Sequence, residues 1–293
     1  MVNRRLLRVK AFQQMYAYWT QERAQHQLAF DELTYIFLPD LSLMIVKEEQ
    51  MPRLEGLRKL AEIQLTEFFQ GIPTEESIPE ESMKAAQSVY KKYQISTKKI
   101  AEKLKKDMVS EVEAINNTYL KILFYLQSLS EIAQWDENRR LLENNTKTSL
   151  FKNNKILAVF PKWKSLQVAF KENHIGWSED EETRLKKLFI EAILVDQTFL
   201  AYLPNAGKNF EDDLEIIKYI LKNFLLKHPS MTEFFEEKDL NWNLNKDVVK
   251  SMSTKTFKIE ALEDLSLQPL ALQWEDDKSF FKDFFEISLQ SLI

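Results

Sequence analysis

The sequence predicts an all-α protein, a multi-helix bundle, on three observations. Only four Gly and eight Pro occur in 293 residues, too few for the tight turns that a sheet built of hairpins needs. Leu, Lys, Glu, Phe and Ile dominate instead, and apolar residues recur at helical spacing through most of the chain. At 44% hydrophobic residues, the chain can bury one large or two modest cores and is too apolar to be disordered.

The first helix is expected over Asn3–Trp19. At 3.6 residues per turn Val9, Phe12, Tyr16 and Trp19 share one narrow sector, which predicts the packed face, while Arg4 and Arg8 lie on a neighbouring, free face. No acidic residue precedes Glu22, so Arg4, Arg5, Arg8 and Lys10 put four uncompensated charges at the amino terminus. A second periodic segment runs from Leu28 to Val46, with Pro39 expected to kink or divide it, and a third from Leu54 to Phe69. Gly71-Ile-Pro-Thr-Glu-Glu-Ser-Ile-Pro79 has no helical period and is expected to be a loop.

Glu80–Trp135 contains no Pro or Gly and is either one long helix or two stacked ones. Ile115, Tyr119, Ile122, Leu126 and Leu129 form an apolar stripe in its second half. The polar stretch Asp136–Thr148, with Asn144-Asn145, is expected to link a helical region of residues 1–135 to another of residues 149–293. In the latter, Trp177, Trp242 and Trp274 each precede a short polar cluster and an apolar-periodic run, as a helix start does. Ser178 and Glu181 have capping-box spacing, and Trp177 stands where it would staple back onto the first turn.

The residues that chemistry requires are not assembled. Four scattered glycines cannot make a phosphate-binding loop, and with no Cys there is neither a disulfide nor a thiolate metal site. His26, His174 and His228 lie far apart, outside any metal-ligand spacing, and are expected at the surface or at helix caps. The acidic clusters Glu179–Glu182 and Glu275–Asp277 sit at helix starts, where they complement the dipole. A binding protein without cofactor or metal is therefore expected, not an enzyme. No stretch has the apolar length of a membrane span and the first residues lack a signal peptide's apolar core, so a cytoplasmic location is expected.

Charge is uneven within a net −5. Eight acidic residues against three lysines follow from Lys258 onward, whereas Lys84–Lys106 holds eight lysines against Glu102 alone. Those lysines alternate with Ile95, Ile100, Ala101 and Leu104, the pattern of a solvated face on an amphipathic helix. The amino-terminal arginines are a different case, because a guanidinium fork takes two phosphate oxygens at once.

Arg4-Arg5-x-x-Arg8-x-x-Ala11-x-Gln13-x-x-Tyr16 resembles the opening motif of the NusB family of helical transcription antitermination factors. Asn-Arg-Arg-Leu-Leu-Arg-Val-Lys, the Ile115–Leu126 segment and the Trp-bearing segments resemble the long form of that family found in Bacteroidetes-type bacteria. The resemblance implies an RNA-binding role: the boxA element of ribosomal RNA leaders, held together with the ribosomal protein NusE in the RNA polymerase antitermination complex. It places RNA binding on Arg4, Arg5 and Arg8, to which Lys10 is added on charge. Residues from about Glu49 to Lys106 look like an insertion, and the Asp-Arg pair and Asn-Glu segment of the family's typical carboxy-terminal half do not occur before Ile293. The alternative expectation is a helical protein–protein scaffold that uses the acidic carboxy-terminal end as its contact surface.

Overall fold

A computed structural model describes residues 1–39, 47–71, 78–139 and 147–290, and these form helices without a strand among them. The expected segment end at Val46, most of the Gly71–Pro79 loop, Asn144-Asn145 and the last residues before Ile293 lie outside the described residues. The chain divides into two units. Unit 1 comprises Met1–Leu7 and Ser110–Asp277, and unit 2 comprises Arg8–Val109 and Lys278–Ile293.

This division does not follow the polar stretch between residues 135 and 149 but falls inside three helices: α1 (Arg4–Ile36), α3 (Glu80–Arg139) and α11 (Trp274–Gln290). A helix makes its hydrogen bonds locally, so it carries from one core to another without any loop or change of composition to mark the passage. Two further expectations change, and one open alternative is decided. The first helix does not end near Trp19 but runs 33 residues to Ile36, before Pro39. Glu80–Arg139 is one helix of 60 residues. Asp136, expected in a linker, is fully buried on its last turn.

In unit 2, α1 from Arg8 on, α2 (Lys47–Gln70) and the first half of α3 pack around Ala29, Leu33, Phe37, Ala61, Leu65, Ala85, Ala86 and Val89. The small Ala residues on all three helices allow close approach, and Phe30, Leu54, Leu57, Phe68, Phe69 and Tyr90 close the sides. Arg58 reaches Thr34 while Phe69 stacks on His26, so α2 runs antiparallel to α1. Ser82 donates to the Leu57 carbonyl at 2.8 Å while Tyr90 meets Phe68, so α2 runs parallel to α3. The expected lysine face of α3 is solvated: Lys91, Lys98, Lys99, Lys103 and Lys106 are exposed, and Lys92 and Lys105 pair with Glu32 and Glu286.

In unit 1, the predicted stripe Ile115, Tyr119, Ile122, Leu126 and Leu129 is buried. The short helices α4 (Lys155–Val159), α5 (Lys164–Glu172), α6 (Glu179–Leu188), α7 (Gln197–Tyr202), α8 (Phe210–Ile220), α9 (Pro229–Lys238) and α10 (Trp242–Thr256) follow, and Phe199 of α7 is fully buried, as are Phe160, Phe189 and Phe257, which come directly after α4, α6 and α10. Ser178 N–H donates to the Glu181 carboxylate at 3.1 Å, as the capping spacing predicts. Trp177 packs on α3, with Phe124 5.0 Å and Tyr125 6.1 Å away between ring centroids.

Two consecutive hairpins in this unit repeat one design. Helix α6 runs into a π-helical turn at Phe189–Ile193, where Leu194 N–H donates to the Phe189 carbonyl at 2.8 Å, and Asp196 then caps α7. Helix α8 runs into a π-helical turn at Leu221–Leu225, where Leu226 N–H donates to the Leu221 carbonyl at 3.0 Å, and His228 then precedes α9. Phe189 and Leu221 are 32 residues apart, as are Gln197 and Pro229. The buried positions follow the same step, Leu185 with Ile217, Phe199 with Met231 and Tyr202 with Phe234. The helix-starting aromatics Phe210, Trp242 and Trp274 also succeed one another every 32 residues. Asn209-Phe210-Glu-Asp-Asp is thus a member of the Trp-led series that a search for Trp overlooks.

Candidate nucleic-acid interface

The amino terminus is anchored before it can present anything. Val2 N–H donates to the Leu270 carbonyl at 2.7 Å, and the Asn3 side chain accepts the Leu6 N–H at 2.9 Å, capping α1. In unit 1, Arg4 is exposed and its Nε lies 3.4 Å from Asp277, the residue expected to serve the α11 dipole. Arg5 is exposed, and in unit 2 so is Arg8; among the described residues neither has a hydrogen-bond or ion-pair partner. Two of the four predicted cations are thus free at the surface.

Lys10 is the correction. It is 0% exposed, so its ammonium is not offered to a phosphate. The apolar sector of α1 is not its packed face either, although Arg4 and Arg8 are exposed as expected. Phe12 is 58%, Tyr16 68% and Trp19 46% exposed, whereas Lys10, Ala11, Gln14 and Tyr18 are buried. Charge and hydrophobicity alone put aromatics inside and Lys outside, but helices in close contact favour small and unbranched side chains at the seam. Burial and the Glu22 carboxylate hold the Tyr18 hydroxyl above the ordinary tyrosine range.

Within unit 2 the outward stripe is continuous. Tyr16 and Trp19 rings lie 6.0 Å apart, the Arg23 guanidinium sits 4.9 Å over Trp19, and Phe12 meets Phe284 of α11 edge-on at 5.9 Å. Phe284 stacks in turn on Phe280 at 6.2 Å. One turn before Phe12, Arg8 stands exposed on the same helix. A surface of π-faces with a guanidinium at either end suits a ligand that is flat and negatively charged. Both ingredients stand in the sequence, but helical spacing predicts the aromatics in the core, whereas they face outward.

The histidines occupy structural positions. His26 stacks on Phe69 at 4.2 Å, His174 takes the left-handed position (φ 51°) that ends α5, and His228 precedes α9 at its N-cap. Comparison with protein-family models, curated proteins and solved structures gives no match for this chain. No helix among the described residues is long and apolar enough to cross a membrane.

Proposed function

We propose that this chain is an RNA-binding transcription antitermination factor of the NusB type, which binds boxA-type leader RNA together with the NusE protein. The observation that carries this reading is the outward face of α1, where Arg8 and Arg23 flank the exposed rings of Phe12, Tyr16 and Trp19. Arg5 adds an exposed cation in unit 1, and Arg4 adds one that Asp277 partly engages. The role is recognition without chemistry: arginines neutralise phosphates, and unpaired bases stack on the rings. Phosphate contacts alone carry no sequence preference, so selectivity falls to the ring face.

The test is a salt titration of binding to a single-stranded boxA-like RNA. Arg5→Ala with Arg8→Ala should flatten the log–log slope by about 1.4, since each phosphate contact on a single strand contributes about 0.7. Tyr16→Ala should weaken binding by about tenfold with the slope unchanged. An affinity independent of salt, or one untouched by the arginine pair, would sink the RNA reading. It would leave the exposed stripe as a protein-docking face of a helical scaffold.

A further inference from the structure

The repeated hairpins of unit 1 carry two open grooves, and the 32-residue step maps one onto the other. A groove of about 510 Å³ lies between α7 and α8, and one of about 860 Å³ lies between α6 and α9. Thr198 and Tyr202 on the α7 wall correspond to Ser230 and Phe234 on the α9 wall. Asp212 and Ile216 on the α8 wall correspond to Asp180 and Arg184 on the α6 wall.

The α6–α9 groove holds a guanidinium from its own chain. Arg184 Nη1 donates to the Ser230 carbonyl at 3.0 Å, Nη2 donates to the Glu237 carboxylate at 3.2 Å, and the guanidinium carbon lies 5.2 Å over the Phe234 ring. In the α7–α8 groove the position of that arginine is taken by Ile216, which is buried and apolar. The aromatic wall remains as Tyr202, joined by Tyr219. The carboxylates stand on the other wall as Asp212 and Glu215, both exposed, with Lys218 as the cation among the lining residues. Among the described residues neither Asp212 nor Glu215 is in an ion pair or side-chain hydrogen bond.

We propose that the α7–α8 groove binds an arginine side chain from a basic segment of a partner protein, in the way the α6–α9 groove binds Arg184. The guanidinium stacks on the tyrosine wall, Asp212 and Glu215 accept its N–H groups, and the alkyl stem lies along Ile216 and Ala201. The two unpaired carboxylates repel a nucleic acid and leave a cationic peptide as the occupant.

The probe is acetyl-arginine amide, followed by the methyl resonance of Ile216 in the full chain. Its shift should saturate with a Kd on the order of 1 mM, the range for a ligand of this size, and acetyl-alanine amide should not reproduce it. Asp212→Asn with Glu215→Gln, both at exposed positions, should weaken the response at least about tenfold. Arg184→Ala empties the related groove, so a second response should appear at the methyls of Leu188, with two probe molecules per chain instead of one. Equal shifts with the alanine probe, a double variant that binds as before, or no new response at Leu188 in R184A would each overturn the assignment.

Discussion

Two hairpins with one backbone path satisfy a buried carboxylate in opposite ways. Glu181 in α6 and Asp213 in α8 stand 32 residues apart, and both are buried. Glu181 accepts the Lys121 ammonium of α3 at 2.8 Å and the Ser178 N–H at 3.1 Å. Asp213 pairs with no Lys or Arg among the described residues. It accepts the Tyr202 hydroxyl at 2.5 Å, the Gly207 N–H at 2.9 Å and the Lys155 N–H at 2.9 Å. Asn154 completes this hub, donating to the Tyr202 oxygen at 2.8 Å and to the Asp213 carbonyl at 2.9 Å. The chain also comes so close here that a Cβ on Gly207, at φ 80°, would lie 2.5 Å from the Asn153 carbonyl oxygen.

The difference teaches that repeating a backbone does not repeat its wiring. An ammonium that meets a carboxylate makes a pair, and apolar residues can replace both members together. A carboxylate that gathers two backbone N–H groups and a phenol ties three segments to one point, and no apolar residue of like volume substitutes for it.

The largest expected effect therefore falls on the hub. Asp213→Ala should cost about 3–5 kcal/mol, because it strands two backbone donors and the Tyr202 hydroxyl in the core. Urea denaturation of the two chains measures this, and a loss under about 1 kcal/mol would erase the contrast. The pair should behave differently. Lys121→Met alone should cost about 2–3 kcal/mol, since it leaves Glu181 buried without its cation, while Lys121→Met with Glu181→Leu should recover part of the loss, the Ser178 N–H and the Gly176 carbonyl having lost their partners. A double variant no more stable than the single one would place Glu181 in the same class as Asp213.

The smallest effect is a shared one at alkaline pH. Burial first, then the Asp213 hydrogen bond, raises the Tyr202 hydroxyl above the ordinary tyrosine range, and burial with the Glu181 charge raises Tyr125. A folded-state value above the unfolded one means stability that is complete below about pH 10 and is lost as pH rises toward the folded values. Circular dichroism and tyrosinate absorbance should thus change together above pH 10. Tyrosinate absorbance that develops fully while the helices persist would show that these hydroxyls titrate in the folded chain.

Much of this was legible in the residues. The scarcity of Gly and Pro and the helical period determined an all-α fold, and the uninterrupted Glu80–Trp135 stretch contained its longest helix. The Ile115–Leu129 stripe was correct because apolar residues there recur along one face with charges opposite. The basic amino terminus was legible too, since a run of cations without an acidic neighbour leaves some of them exposed. Asn209-Phe210 was missed because Phe stands where its repeats carry Trp, although the 32-residue interval from Trp242 to Trp274 pointed back to it.

By itself, then, the sequence determined helix type, the buried seam of α3 and the presence of free arginines, because these depend on local spacing and on charge that has no nearby opposite. Tertiary structure decided which side of α1 faces outward, burying Lys10 and exposing Phe12, Tyr16 and Trp19. It also decided where one unit ends and how Glu181 and Asp213 are satisfied. Those outcomes depend on neighbours distant in sequence, and a helix with apolar residues on more than one face leaves the choice to whatever packs against it.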